Sequence, residues 1–222
     1  MPAERTQIVA SVASWPMWQD VVQGRLELPC DVVELRVDGL PPEITPADIL
    51  AAPCPRPLLV TVRDQAEGGL RPMPLAERAA WAAALLPAAA MLDWEIANLA
   101  AAPALVEQAH AAGVRIVASA HDFQKTPAVA CMQERERLAR SLGADIAKFA
   151  FRLNDPQDMQ AGLDLLAAAT GPMAVMGMGP DGPASRLLYS RHGSCLVYGY
   201  LGNAPTAPGQ LSAAELRRAL QA

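Results

Sequence analysis

Val32-Val33-Glu34-Leu35-Arg36-Val37-Asp38 reads as a strand with two unlike faces. Successive side chains point to opposite sides of a strand, so Val33, Leu35 and Val37 share one face while Glu34, Arg36 and Asp38 share the other. The division recurs: Thr61 and Arg63 oppose Val60 and Val62, and Asp93 and Glu95 oppose Leu92, Trp94 and Ile96. Ser119 and His121 oppose Ile116, Ala118 and Ala120, and Lys148 opposes Ala147 and Phe149. Runs of β character occupy 8–13, 32–38, 58–63, 91–96, 115–121, 145–151, 173–178 and 194–200. Helical composition fills 75–86, 104–112, 133–142, 158–168 and 213–220, the last behind Ser212 as N-cap. The stretch between the first two strands is poorly signalled, and the proline-rich 40–57 predicts an irregular helix.

Alternation alone also suits an antiparallel sheet with one wet face. Helical segments rather than hairpins separate these strands, and the polar positions mix both signs of charge with His and Lys near strand ends. The reading is therefore a single α/β domain over 1–222, a (β/α)8 TIM barrel whose apolar face packs under helices. Its polar face points inward, and the polar residues converge at the C-terminal ends of the strands, where barrel enzymes collect their catalytic groups.

Composition fits such a fold. The chain of 222 residues is 52% hydrophobic and 18% charged, enough apolar material for a sizeable core. A net charge of −5 with no basic tail argues against a nucleic-acid partner. Cys30, Cys54, Cys131 and Cys195 are scattered with no C-x-x-C pair, which argues against a zinc site or a disulfide framework and for a reducing, cytoplasmic setting. The start, Met1-Pro2-Ala3-Glu4-Arg5, has no pattern of a secretory signal. The most apolar stretch, 79–92, is interrupted by Pro87 and too short for a membrane span.

Lys148 is one of two lysines in a chain that otherwise uses arginine, and it lies in an apolar run. A lysine amine, unlike guanidinium, can shed its proton when desolvated beside other cations and attack a carbonyl to form an imine. A snorkelling or salt-bridged lysine is the alternative.

Together, Glu34-Leu-Arg36-Val-Asp38, Thr61-Val-Arg63-Asp-Gln-Ala-Glu67-Gly68-Gly69, Asp93-Trp-Glu95, Ser119-Ala-His121-Asp122-Phe123, Lys148, Ser185-Arg186 and Ala207-Pro208-Gly209-Gln210 resemble type I 3-dehydroquinate dehydratase. The matches are in order and cover almost the whole chain. The resemblance implies a (β/α)8 lyase of the shikimate pathway, leading to chorismate and the aromatic amino acids. It converts 3-dehydroquinate to 3-dehydroshikimate and water through a lysine imine, without cofactor or metal. Lys148 would form the imine, His121 act as general base and then acid, and Glu67 orient His121. Arg186 would bind the substrate carboxylate, Glu34, Arg36 and Arg63 its hydroxyls and the imine side, and Ser11 would be a minor contact. The expected assembly is a homodimer with no membrane partner.

Two readings stay open for Asp93 and Glu95, a buried ion network or direct substrate contact, and two for Met176 and Met178, a wall beside the imine or ordinary packing. The segment 199–210, rich in Gly and Pro, reads as a lid bringing Gln210 and Thr206 to the substrate. Thr206 stands where the family commonly has serine, and this stretch is one residue longer than in some relatives. Several relatives also begin with a hairpin that plugs the lower end of the barrel, and this chain has almost nothing before Ile8.

Two rival readings remain. The glycines of Met176-Gly-Met-Gly-Pro-Asp-Gly182 suit an imine-forming aldolase of a phosphorylated sugar, though the setting of Arg186 favours a carboxylate. A silent ligand-binding relative is the other, and the presence of both Lys148 and His121 argues against it.

Overall fold

The structure is a computed structural model that describes residues 5–202 and 210–221. Eight parallel strands, β1 (Gln7–Val12), β2 (Val32–Arg36), β3 (Leu58–Thr61), β4 (Met91–Glu95), β5 (Arg115–Asp122), β6 (Ile146–Arg152), β7 (Met173–Met178) and β8 (Leu196–Tyr200), form one sheet in the order β7-β6-β5-β4-β3-β2-β1-β8. Between and after them lie α1 (Trp15–Val22), α2 (Pro46–Leu50), α3 (Leu75–Leu85), α4 (Ile96–Leu99), α5 (Pro103–Ala111), α6 (Val129–Ser141), α7 (Pro156–Ala167), α8 (Gly182–Arg191) and α9 (Ala213–Gln221). This is a (β/α)8 barrel, and its parallel ladders dispose of the antiparallel alternative.

Strand parity sorts the core as expected. Val33, Leu35, Val60, Leu92, Trp94, Ile116, Ala118 and Phe149 pack outward against the helices. Inward, each strand contributes a buried apolar residue below the polar layer: Val9, Val32, Leu59, Met91, Val117, Ile146, Ala174 and Leu196. Two residues further along each strand stand Ser11, Glu34, Thr61, Asp93, Ser119, Lys148, Met176 and Tyr198, all buried. The lower interior is thus an apolar plug and the upper interior a polar layer on β1 to β6, with an apolar wall on β7 and β8. Lys148 stands where these two environments meet.

Several details depart from the sequence reading. β2 ends at Arg36, and Val37–Gly39 turns in a 3-10 helix, which takes Asp38 out of the strand's alternation. Its carboxylate instead anchors loops, accepting from the backbone N–H of Arg63 at 3.2 Å and of Leu70 at 2.9 Å and from the Arg36 guanidinium. Two helices lacked a clear signal. In α1, Pro16 sits in the first turn, where its missing N–H costs nothing, and Trp18 and Val21, three apart, are buried together. α8 follows the glycine-rich stretch directly, with Pro183 in its first turn. The expected cap of α9 is present as a reciprocal pair, Ser212 N–H to Glu215 at 2.8 Å and Glu215 N–H to Ser212 Oγ at 3.1 Å. The 40–57 segment holds only the short α2, capped by Thr45 and Asp48.

Every neighbouring strand pair except β7 with β8 carries a backbone ladder. The barrel closes there through a backbone bond, Cys195 N–H to Met173 C=O at 2.8 Å, and through side chains. Ser194 Oγ accepts from Val175 N–H at 3.0 Å and donates to Leu196 C=O at 3.0 Å. Higher up, Ser185 Oγ accepts from Gly177 N–H at 3.0 Å, and Arg186 donates to Tyr198 C=O at 3.0 Å. Ser194→Ala leaves the buried Val175 N–H without its partner. It is expected to lower unfolding stability by about 1–3 kcal/mol, measured by denaturant titration; an unchanged midpoint would show that this hydroxyl does not hold the seam.

Candidate active site

A cavity of about 670 Å³, counting its open mouth, occupies the C-terminal end of the barrel. Lys148, His121, Glu67, Ser11, Glu34, Arg36, Arg63, Arg186 and Gln210 all line it, from elements spread over the whole chain. Thr206 and most of the expected lid lie outside the described residues. Gly68, Phe123, Ala150, Met176, Met178 and Tyr198 complete the lining, so both methionines form a wall of the cavity.

Lys148 is 3% exposed, and its Nζ donates to Asp93 Oδ2 at 2.9 Å. Asp93 Oδ1 in turn takes Arg63 at 3.0 Å and Ser119 Oγ at 2.6 Å. Arg63 continues to Glu95 at 2.9 Å, and Glu95 also binds Arg78. Arg78 is 1% exposed, although it belongs to α3, and it also donates to Val62 C=O and to Asp64. Charges therefore alternate from Lys148 through Asp93, Arg63, Glu95 and Arg78 to Asp64. Neither Asp93 nor Glu95 lines the cavity, which places them in the ion network beneath it.

The network sets protonation. Burial alone would raise the Asp93 carboxyl, but Arg63 and Lys148 outweigh it and hold Asp93 well below the usual carboxylate range. Arg63 remains a fixed cation: burial opposes its charge, but Asp93 and Glu95 more than restore it. Taking these charges out of water is costly, so the row is better read as positioning than as stabilisation.

Glu67 ends a 3-10 turn that Asp64 caps by accepting from Ala66 N–H at 2.9 Å. Gly68, at φ +88°, then turns the chain under Phe123, where a Cβ would come within 2.6 Å of the ring. The turn aims Glu67 Oε2 at both the His121 backbone N–H, at 3.0 Å, and His121 Nδ1, at 2.9 Å. Glu67 is therefore a bonded partner of the imidazole and not a solvated loop acid. Burial pushes its carboxyl up to about 7 against the pull of Arg63. Burial, with the nearby Arg63 and Lys148, drives His121 well below its ordinary value. The lowered His121 value favours a neutral imidazole. When Glu67 is ionised it accepts Nδ1–H, and Nε2 is then left as a proton acceptor.

Across the cavity Arg186 is 3% exposed and has no carboxylate partner among the described residues. Burial lowers it to about 10, so it keeps its charge at neutral pH. Its Nε is buried without a partner. A buried guanidinium short of partners is a receptor for an anion. Around the polar side, Glu34 accepts from Ser11 at 2.5 Å and from Thr61 at 2.8 Å, and Arg36 pairs with Asp38 and reaches Gly68 C=O at 3.1 Å. The other histidines stand away from this cavity: His110 on α5 pairs with Asp145 at 3.1 Å, and His192 follows α8.

Two site residues escaped the sequence reading. Arg78 is a single charge on the buried face of an alanine-rich helix, a signal that helical periodicity would have exposed. Tyr198 faces inward two residues after Leu196, by the same alternation that located the polar layer. No helix among the described residues is long and apolar enough to cross a membrane.

The family model described as type I 3-dehydroquinase matches residues 19–222. A 3-dehydroquinate dehydratase of Klebsiella pneumoniae is 37% identical over 217 residues, covering 89% of this chain and 84% of the relative. The crystal structure of type I 3-dehydroquinate dehydratase from Clostridium difficile with covalently modified comenic acid superposes with a TM-score of 0.86 at 25% identity, covering 98% of this chain and 92% of that one. The 3-dehydroquinate dehydratase structure from Enterococcus faecalis gives a TM-score of 0.82 at 29% identity, with 98% and 94% coverage.

Proposed function

The chain belongs to the type I 3-dehydroquinase family, a family of hydro-lyases, and from that premise we propose that it dehydrates 3-dehydroquinate to 3-dehydroshikimate through an imine on Lys148. The observation that carries this reading is the meeting of a buried lysine and a neutral, carboxylate-held histidine in one cavity.

Arg186 takes the substrate carboxylate as a fixed cation, and the Ser11, Glu34, Arg36 and Arg63 side receives the hydroxyls. Lys148 Nζ sheds one ammonium proton and attacks the ketone carbon; the carbonyl oxygen takes that proton and one of the two left on nitrogen and departs as water, so the imine keeps the last N–H and is protonated. His121 Nε2 removes a proton from the adjacent carbon, and the C–H electron pair moves toward the iminium nitrogen to give an enamine. That pair then returns to expel the β-hydroxyl, which leaves as water with the proton held by His121. Water hydrolyses the conjugated imine, restoring the amine and releasing the product ketone. The water lost on imine formation is recovered at hydrolysis, so the net change is loss of one water. One imidazole serves as base and then as acid because its proton returns in the same turnover.

The test is direct: product formation from 3-dehydroquinate followed by the ultraviolet absorbance of its conjugated system, with borohydride added in a parallel sample and the adduct located by mass spectrometry. Turnover with an adduct on Lys148 is expected. An aldolase acting on a phosphorylated sugar or a silent binding protein would give neither.

The Glu67–His121 pair also predicts a pH profile. Glu67 must be ionised to accept Nδ1–H, and its carboxyl titrates at about 7 in the free protein. kcat/KM, which reports the free protein, is therefore expected to fall as pH drops through about 7, with a limb that belongs to the pair. Glu67→Gln keeps an accepting oxygen but removes the titration, so this limb disappears from a slower enzyme. An unchanged limb in Glu67→Gln would assign it to another group.

A further inference from the structure

Tyr198 has no part in the scheme above, yet it touches the reacting nitrogen. Its side chain enters the cavity from β8 and is 4% exposed, and Lys148 Nζ lies 4.2 Å from the centroid of its ring. Asp93 Oδ2 holds the same nitrogen at 2.9 Å. The amine therefore has two contacts of different kinds, a carboxylate and an aromatic face.

We propose that the ring face of Tyr198 is a catalytic contact that stabilises the positive charge of the Lys148 iminium, and that its hydroxyl takes no part. This inference rests on the imine reading and deepens it. An ammonium has three N–H bonds to offer, whereas a protonated imine has one and spreads its charge over the C=N unit. Asp93 can follow only the remaining N–H. A π face attracts diffuse charge without needing a hydrogen, and the attraction is strongest where water is excluded. The phenol contributes no competing acid–base chemistry, since burial holds it well above its ordinary value and keeps it neutral. The hydroxyl is buried without a partner, a cost to folding that the ring's position imposes.

Ring and hydroxyl separate on substitution. Tyr198→Phe keeps the face and removes the orphaned hydroxyl, so kcat is expected to stay within about threefold and thermal stability to rise. Tyr198→Leu keeps an apolar side chain without a π face, so kcat and the fraction of Lys148 trapped by borohydride at saturating 3-dehydroquinate are expected to fall about 10–30-fold, with KM changing less. Because Leu also changes the packing at this position, phenylalanines of increasing fluorination at position 198 supply a series of nearly constant shape and falling ring quadrupole, along which kcat is expected to decline in step. A flat series, or a Phe variant as slow as Leu, would overturn the proposal. The wild-type adduct keeps the two ideas distinct: no adduct on Lys148 removes the imine itself, whereas a normal adduct with a flat series removes only the role of Tyr198.

Discussion

Lys148→Arg is expected to lose turnover by on the order of 10⁵-fold, the scale on which removal of a covalent nucleophile is felt, while remaining folded. The substitution is chosen for what it keeps. A guanidinium still meets Asp93, and Asp93 also retains Arg63 at 3.0 Å and Ser119 at 2.6 Å, so the ion network survives with its charge balanced. What disappears is the ability to form an imine. A lysine present only to complete the network would tolerate arginine. Lys148→Met adds the complementary case, in which the charge is lost as well. Both variants are expected to give no adduct with borohydride and 3-dehydroquinate. Lys125, the other lysine, is exposed and does not line the cavity. An adduct there, or measurable turnover in Lys148→Arg, would end the covalent assignment.

His121→Ala is the second large effect, a fall in kcat of about 10²–10⁴-fold, the usual worth of a positioned acid–base group. Imine formation is expected to persist, since the amine and its Asp93 partner are untouched, so borohydride still labels Lys148. The block then lies at proton removal and hydroxyl departure, both of which His121 serves. Glu67 is the nearest replacement base, but it is held by the turn that ends at Gly68 and loses the imidazole it was positioned to serve. Turnover within tenfold of wild type would remove His121 from both steps. Loss of labelling together with turnover would move its role to imine formation.

Much of this arrangement was legible in the chain. Alternation along Val32–Arg36 and its counterparts set the inward face of each strand, and eight such runs with helices between them set the barrel. Glu34, Arg63 and Lys148 followed from parity alone, because a period of two is a local property. Partnerships were less accessible. Lys148 meets Asp93 from 55 positions away and His121 meets Glu67 from 54, and nothing local encodes which inward residue faces which across a closed sheet. Resemblance to a known family supplied Glu67 and Arg186, neither of which lies on a strand. Asp38 was misplaced because the strand ended two residues earlier than alternation suggested. Arg78 was missed because it follows Glu77 in an alanine-rich helix, where adjacent charges read as solvent-facing unless the helical spacing of Arg78 with Ala82 and Leu85 is followed.

The β7–β8 joint carries a different kind of consequence. A parallel sheet whose first and last strands did not meet would show two rows of unpaired N–H and C=O groups, a template on which another unfolded or partly folded chain can add a strand. Here Ser194 and Ser185 occupy the free amides of Val175 and Gly177, and Arg186 occupies the carbonyl of Tyr198. These three side chains deny that template to other chains. They thus bear on whether the protein stays dispersed at high concentration, a property that a survey of its catalytic groups alone would not reveal.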